Sequence, residues 1–177
     1  PYIFEHHIFG GAVPKQHFPA VEKGLQECVK AGPLAGYPVV GIKATLVDGS
    51  YHPVDSNEVS FKMAAIGAFK KAFEQAKSAI MEPINTVEVV VPDSYTGDVM
   101  GDLNKRRGRI LGMEAKGGKQ HITAEVPAYE MIKYATDLRS MTQGRGDFSM
   151  EFARFEEAPR DVQERVIAKR KKLVEGK

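Results

Sequence analysis

An internal repeat in the second half of the chain limits the possible folds more than any other feature. The segment VEVVVPDSYTGDVMGDLNKRRGR (Val87–Arg109) aligns with HITAEVPAYEMIKYATDLRSMTQGR (His121–Arg145). In each copy a proline precedes an Asp-Leu pair by ten positions, and a Gly-Arg pair closes the copy: Pro92, Asp102-Leu103 and Gly108-Arg109, then Pro127, Asp137-Leu138 and Gly144-Arg145. Each copy therefore predicts a strand, a proline at a helix entrance, a helix and a glycine-terminated exit.

The segments RILGMEA and DFSMEFARF read as the strands that complete the two copies. Two βαβ units in tandem give β-α-β-β-α-β, a ferredoxin-like sandwich with its helices on one face of an antiparallel sheet. A solenoid needs more repeats than two to cover its ends. We therefore predict an α+β fold whose second domain is this sandwich.

The first part of the chain predicts β-α-β-loop-α, an incomplete α/β unit. YIFEHHIF (Tyr2–Phe9) reads as a strand, and a helix follows from Lys15 to about Lys30, where Gly32-Pro33 stops it. VVGIKATLV (Val39–Val47) alternates as a half-buried strand does. Its apolar face is predicted to carry Val40, Ile42, Ala44 and Leu46.

A second helix is predicted after the polar loop DGSYHPVDSNE. Asp55 with Glu58 three residues later has the spacing of a capping box. The predicted buried stripe of this helix contains Val59, Met63, Ile66, Phe69 or Lys70, and Phe73.

Composition excludes several classes of protein. The 177 residues carry a net charge of +2 and fit one large domain or two small ones. Because Cys28 is the single cysteine, neither an internal disulfide nor a cysteine-built zinc site can form, and the chain suits a reducing compartment. Cys28 itself reads as a core residue. The chain opens on Pro1 within a strand pattern, so we expect a piece of a longer protein.

Enzymatic signatures are missing from the sequence. No phosphate-binding G-x-x-x-x-G-K-[ST] motif is present, so these residues are not expected to hydrolyse a nucleotide by themselves. His6 and His7 are neighbours in a strand and point to opposite faces, which argues against a shared metal. Asn104 with Arg109 is the nearest approach to the Arg–Asn pair of an acylphosphatase-type enzyme, but no cradle loop precedes it.

Two basic clusters stand out against the small net charge. Lys105-Arg106-Arg107-Gly108-Arg109 follows a predicted helix, where one or two cations would offset the helix dipole and Gly108 would be the C-cap. Four cations in five positions exceed that need, and the repeat places Arg109 and Arg145 at matching points. Arginine binds phosphate bidentately, so contact with structured RNA is the competing interpretation. Lys169–Lys172 forms the second cluster.

The tripeptide Arg145-Gly146-Asp147 is open to three interpretations: a cell-adhesion loop, an anion-binding turn or the closing turn of the fold. A cysteine-poor chain without a signal peptide disfavours adhesion. The glycines on either side of Arg145 are explained by a chain reversal. The role of Arg145 remains to be explained.

Three blocks resemble the C-terminal part of bacterial elongation factor G, the ribosomal translocase. They are GYPVVGIKATLVDGSYHPVDSNEVSFKMAA, EPINTVEVVVPDSYTGDVMGDLNKRRGRILGME and YATDLRSMTQGRGDFSMEF. The resemblance implies that residues 1–81 form the C-terminal part of domain IV, with an incomplete βαβ unit like that of ribosomal protein S5. It also implies that residues 82–158 form the ferredoxin-like domain V. Residues 159–177 would be a basic C-terminal helix or tail.

The same resemblance implies a function and its sites. A tip loop would contact tRNA and the decoding site through Ser50, Tyr51, His52, Asp55 and Ser56. Contacts with ribosomal RNA would come from Lys105, Arg106, Arg107, Arg109, Arg139 and Arg145. The implied partners are the ribosome, at the sarcin–ricin and stalk-base regions of 23S rRNA and at the small-subunit decoding site with its tRNA–mRNA, and also ribosome recycling factor.

Further expectations concern the whole factor. A cytoplasmic monomer is implied, without catalytic residues, metal or cofactor in these residues, while GTP and Mg would bind the G domain of the parent GTPase. Two departures from the family pattern stand out: Pro53 where an acidic residue is common, and Lys133 where glycine is common. These departures fit a paralogue specialised in recycling as well as the translocase. A stand-alone RNA-binding module is the remaining alternative.

Overall fold

The computed structural model describes residues 1–176, which form two compact units. The first unit contains residues 1–79 together with the C-terminal segment from Pro159 onward. The second unit is Ile80–Ala158. The mixed α/β composition of both units confirms the predicted fold class.

The first unit is a parallel βαβ crossover followed by a helix. Its elements are β1 (Tyr2–His6), α1 (Phe18–Lys30, after a 3-10 turn at Lys15–His17), β2 (Ile42–Leu46) and α2 (Glu58–Gln75). Strands β1 and β2 pair in parallel from Tyr2 with Ile42 to His6 with Leu46. The unit's main core contains Val13, Ala20, Val21, Phe61 and Ala65, packed against half-buried side chains of the strands and α1.

The predicted alternation in β2 holds for three of its four residues. Ile42, Ala44 and Leu46 are half-buried, as expected. Val40 is 69% exposed, because it lies before the strand begins and is separated from it by Gly41 at φ +69°. The left-handed backbone at Gly41 interrupts the extended conformation on which the alternation depends.

The predicted start of α2 was wrong by two residues. Asn57 is the N-cap: its Oδ1 accepts a hydrogen bond from the Ser60 amide at 2.9 Å, and its own amide donates to Ser60 Oγ at 2.8 Å. This reciprocal pair is a capping box in which serine replaces the usual Glu or Gln. Asp55 is exposed and lies outside the cap.

The buried face of α2 also differs from the predicted stripe. Phe61, Ala65 and Phe69 are buried, whereas Val59 and Met63 are 67% and 59% exposed. Helix α1 sets this face, because its Gly24 lies directly against the Lys62 carbonyl: a Cβ at Gly24 would be 2.7 Å from that oxygen. Phe69 alone of the five predicted positions is fully buried, while Ile66 and Phe73 are partly buried.

The second unit has the predicted ferredoxin-like topology. Its elements are β3 (Met81–Pro92), α3 (Thr96–Lys105), β4 (Arg109–Lys116), β5 (Lys119–Pro127), α4 (Tyr134–Met141) and β6 (Asp147–Glu157). The strand order is β4-β5-β3-β6 and every neighbouring pair is antiparallel. One face of the sheet packs on the helices through Val87, Val89, Val91, Val99, Leu103, Ile122, Ala124, Val126, Met131, Tyr134 and Leu138.

Both helices of this unit end in the same motif, as the repeat predicts. The Gly108 amide donates to the Leu103 carbonyl at 2.8 Å, and the Gly144 amide donates to the Arg139 carbonyl at 2.8 Å. These are the long bonds of a Schellman motif. Gly108 was predicted as the C-cap of the first helix, but the C-cap is Arg106 and the left-handed residue after it is Arg107, at φ +61°.

The C-terminal helix α5 (Arg160–Glu175) groups with the first unit. The Arg170 guanidinium lies against Gly36, where a Cβ would be 2.9 Å from Nη2. Gly36 has φ +73°, so both its backbone and this close approach favour glycine. The segment predicted as a basic C-terminal helix or tail therefore forms a helix over Arg160–Glu175, and this helix belongs to the first unit. No helix within residues 1–176 combines the length and apolar character needed to span a membrane.

Candidate nucleic-acid interface

The loop between β2 and α2 has a head that closes on itself. The His52 carbonyl accepts hydrogen bonds from the amides of Asp55 at 3.1 Å and Ser56 at 2.9 Å. The His52 amide in turn donates to Ser56 Oγ at 2.9 Å. These three bonds define a five-residue turn, the loop head (residues 52–56). Ser56, predicted as an RNA contact, therefore uses its hydroxyl to close the turn.

Val54 forms the crest of the loop head. Its side chain is 93% exposed, the highest value among the exposed large apolar residues of the described chain. Ser50, His52 and Asp55 are also exposed. The sequence interpretation did not single out Val54, because one valine in a polar loop shows no helical or strand periodicity. Its position after Pro53 in a predicted turn was the available indication that it is exposed.

Tyr51 lies at the base of this loop rather than at its crest. Its ring is 37% exposed and lies 5.6 Å from the His17 ring, which stacks on Phe61 at 4.4 Å and an interplanar angle of 19°. His17 is 9% exposed. We call these three residues the aromatic stack (Phe61, His17 and Tyr51). It joins the loop to the core, and sequence reasoning did not identify His17 as part of it.

Arg106 is enclosed by the second unit. Its guanidinium donates to Asp102 Oδ2 at 2.8 Å, to Asp137 Oδ2 at 2.5 Å and to the Glu130 carbonyl at 2.7 Å. It also lies 4.9 Å from the centre of the Tyr134 ring, and its side chain is only 14% exposed. Because all three guanidinium nitrogens of Arg106 already donate hydrogen bonds, this geometry favours a structural role over the predicted contact with RNA.

Arg107 is also held by carboxylates. It makes a bidentate pair with Glu82 and lies 3.7 Å from Glu130 Oε1, with 29% of its side chain exposed. Burial raises the pKa of Glu82, and the positive charge of Arg107 offsets part of that rise. Removing Arg107 would leave Glu82 desolvated without a counter-charge, so this arginine also serves the fold.

Arg109 is exposed but paired. Its Nη2 lies 2.5 Å from Glu125 Oε2, while 70% of its side chain is accessible. Arg154, which the sequence interpretation did not single out, binds the same carboxylate with distances of 2.8 and 2.9 Å. Hydrogen bonds from Arg154 and then from Arg109 lower the pKa of Glu125 from 4.5 to about 2. The guanidinium of Arg109 therefore already binds the Glu125 carboxylate, whereas an acylphosphatase-type enzyme would need this arginine to bind phosphate.

This cluster predicts a specific pH dependence. Because the folded state lowers the pKa of Glu125, its contribution to stability is present above pH 4.5 and is lost as the pH falls through about 2. The difference in unfolding free energy between the natural chain and Glu125→Gln should therefore shrink over that window, measured by urea unfolding at successive pH values. Arg154→Met should move the loss to higher pH. A difference that stays constant from pH 5 to 2 would contradict the assignment.

Three of the predicted RNA-binding cations carry no ion pair among residues 1–176. Lys105 ends α3, Arg139 lies in α4, and Arg145 follows the C-terminal turn of α4; all three are exposed. The Arg145 amide donates to the Thr142 carbonyl at 3.0 Å, so the backbone of this residue belongs to the turn. Asp147 is already the first residue of β6, so the Arg-Gly-Asp tripeptide is the closing turn of the fold.

The repeat-related arginines lie at opposite corners of the sheet. Arg109 begins β4 opposite Glu125, and Arg145 precedes β6, whose first residue Asp147 pairs with Val90. Strands β4 and β6 are the two edges and run antiparallel, so their starts lie at opposite ends. The exposed cations therefore form two separate basic sites rather than one patch.

The described residues offer no metal centre. Among residues 1–176 no three His, Cys, Asp or Glu side chains are grouped so that they could hold a metal ion. His6, one of the two histidines weighed for such a site, has its ring 4.5 Å from that of Phe18. Cys28, predicted as a core residue, is half-buried, and burial raises the pKa of its thiol.

Comparison with known proteins assigns both units. The model for elongation factor G, domain IV matches residues 1–77, and the model for the elongation factor G C-terminus matches residues 79–166. The chain belongs to the elongation factor G family. A solved structure, the crystal structure of ttk003000868 from Thermus thermophilus, is 42% identical with a TM-score of 0.80. The match covers 97% of this chain and 26% of the Thermus chain.

One departure from the elongation factor G pattern has a structural explanation. Lys133, where glycine is common, is the N-cap of α4 and has φ +65°. Only glycine adopts this left-handed conformation without steric cost, which for other residues is about 1–2 kcal/mol. A glycine at this position would avoid that cost, whereas Lys133 adds an exposed cation beside α4.

Proposed function

We propose that this chain is the ribosome-binding C-terminal portion of a translational GTPase that promotes tRNA–mRNA translocation. The observation that carries the proposal is the succession of an elongation factor G domain IV and C-terminus, which together match residues 1–77 and 79–166. In this proposal GTP and Mg act in the G domain of the parent, and this portion makes no covalent change. The factor works as a cytoplasmic monomer.

The two units contribute different contacts. The loop head, with Val54, His52 and Asp55 exposed, meets the small-subunit decoding site and its tRNA–mRNA. The two basic sites meet 23S rRNA at the sarcin–ricin and stalk-base regions, with Lys105 and Arg109 at one and Arg139 and Arg145 at the other. Lysine and arginine side chains that are exposed can displace counterions from phosphates, which is the main source of such affinity.

A second candidate within the family is a paralogue specialised in ribosome recycling. The crest Pro53-Val54 favours it, because the loop head presents apolar side chains where an acidic residue is common. Ribosome recycling factor would then be the additional partner. Two results with the whole factor would together favour this candidate. The factor would split ribosomes only when recycling factor is present, and it would not move tRNA.

The salt dependence of binding to purified bacterial ribosomes tests the proposed contacts. The variant Lys105→Gln/Arg139→Gln/Arg145→Gln should bind more weakly, and the slope of log K against log salt should fall by about 2–3, since each lost phosphate contact removes about 0.7–0.9. These side chains have no partner in the described chain, so the fold should be unaffected.

A variant with the same loss of charge provides the control. Lys70→Gln/Lys71→Gln/Lys77→Gln removes three exposed lysines of the first unit, outside both basic sites. It should leave the slope within about 1 of the natural value. Equal effects from the two triple variants, or an unchanged slope in both, would remove the proposed role of the basic sites.

A further inference from the structure

The aromatic stack occupies the place where the loop leaves the core of the first unit. His17 lies in the 3-10 turn before α1, Phe61 lies in the first turn of α2, and Tyr51 belongs to the loop itself. The His17 ring is covered by Phe61 on one side and approached by Tyr51, at centroid distances of 4.4 and 5.6 Å. Gln16 Nε2 lies 3.3 Å from His17 Nε2. His17 therefore links three separate segments of the chain.

A second contact fixes the start of the same loop. A Cβ at Gly49 would lie 2.5 Å from Val13 Cγ2, and Val13 is 2% exposed in the core. The backbone at Gly49 thus passes directly over the core, and the Gly49 amide donates to Asp48 Oδ1 at 2.7 Å. Between this point and the N-cap Asn57, the aromatic stack is the one ring contact that ties the loop to the unit within the described residues.

The loop head has no such tie of its own. The hydrogen bonds of its main chain and of the Ser56 hydroxyl run within residues 52–56, and Val54 at its crest is 93% exposed. A turn that is closed internally can move as one body if its base is free. The direction in which the crest points is therefore set by what holds Tyr51, the residue that immediately precedes the head.

We propose that His17 is a positioning residue that holds Tyr51 through the aromatic stack and thereby aims the loop head, with Val54 as the side chain that meets RNA. This inference rests on the proposed function and deepens it. It also reassigns Tyr51, because a ring engaged with His17 supports the loop from its base. Positioning contacts of this kind lower the cost of ordering a loop on binding.

Backbone NMR relaxation tests the positioning step on the chain alone. In His17→Ala the order parameters of the Asp55 and Ser56 amides should fall from about 0.85 to below about 0.6, because the loop head moves as one body once Tyr51 is released. His17→Phe keeps a flat ring on Phe61 and should restore the natural values. Amides in the middle of α1 and α2 serve as the control for global unfolding. Unchanged order parameters at Asp55 and Ser56 in His17→Ala, or an equal fall throughout α1 and α2, would overturn the proposal.

Directed cleavage on the ribosome tests the second step. In a Cys28→Ala background, Val54→Cys carries a tethered iron chelate that cleaves nearby RNA, and Met63→Cys on the exposed side of α2 is the reference position. His17→Ala should weaken the peak of small-subunit rRNA cleavage from position 54 by about threefold and broaden it, because an unsupported loop samples more orientations. Cleavage from position 63 should not change, and His17→Phe should restore the peak at 54.

The two experiments separate the two hypotheses. Absence of rRNA cleavage from position 54 in the chain with His17 intact would contradict the proposed function, and the order parameters would still decide whether His17 holds the loop. Strong cleavage from position 54 that His17→Ala leaves unaltered would contradict the aiming role while supporting the proposed function.

Discussion

Arg106→Ala is expected to destabilise the second unit by about 3 kcal/mol, the lower end of the range for removing one member of an enclosed ion pair. The variant would leave the carboxylates of Asp102 and Asp137 facing each other without the guanidinium that separates them, and the Glu130 carbonyl would lose its donor. The lower end applies because Asp137 is 49% exposed and water can solvate it in part.

Native-state hydrogen exchange of the β3 and β5 amides in the full chain measures this change. Arg106→Lys keeps the charge but cannot reach three acceptors at once, so it should fall between the natural chain and Arg106→Ala. Arg139→Ala is the matched control, since Arg139 is exposed and unpaired in the described chain, and it should stay within about 0.5 kcal/mol. Arg106→Ala behaving like this control would show that the arginine is free for another partner.

Gly108→Ala should destabilise the same unit by about 2–3 kcal/mol. A Cβ at this position would lie 2.6 Å from the Leu103 carbonyl oxygen and 3.1 Å from Val126 Cγ2. Leu103 and Val126 are both completely buried, so neither can move aside without disturbing the core. Overpacking of this kind costs about 1–3 kcal/mol, and the strained Schellman bond adds to it.

Gly112→Ala in β4, the strand that follows Gly108, provides a control, because a Cβ there would meet nothing within 4 Å. Urea unfolding followed through the β3 and β5 amides should separate the two variants clearly. Equal stability of Gly108→Ala and Gly112→Ala would mean that the helix end can open at little cost, which would contradict the close approach described above.

The sequence was most informative where it repeats. Matching prolines, Asp-Leu pairs and Gly-Arg pairs predicted the βαββαβ order of the second unit, and the structure confirms it with a Schellman motif at the end of each helix. A repeat helps prediction because the secondary structure inferred for one copy also applies to the other. The resemblance to elongation factor G rested partly on the same residues and partly on a block of the first unit, and it is confirmed by the family matches.

Errors arose where two local patterns compete and where a tertiary contact chooses between faces of a helix. Asp55 and Asn57 are both good N-caps, and the Ser60 hydroxyl decided for Asn57. In α2 apolar residues lie on more than one side, so the close approach of Gly24 to Lys62 determined which side is buried. Propensity and periodicity carry no information about such a neighbour.

The basic run shows the same limit for the site. Charge density alone predicted one RNA-binding cluster at Lys105–Arg109, but the carboxylates that bind Arg106 and Arg107 come from positions far along the chain, at Glu82, Glu130 and Asp137. A sequence does not show which cations such distant partners engage. Lys105, Arg139 and Arg145 stay predictions as contacts with RNA.

The two repeats differ at the position that Arg106 occupies in the first copy. Arg106 binds Asp102 of its own copy and the equivalent Asp137 of the other, while the residue two positions before the closing glycine of the second copy is Thr142, whose hydroxyl donates to the Leu138 carbonyl. A single side chain thus serves both copies. A substitution at either aspartate would therefore also alter a contact of the other copy, so the two halves of this unit are coupled through one guanidinium.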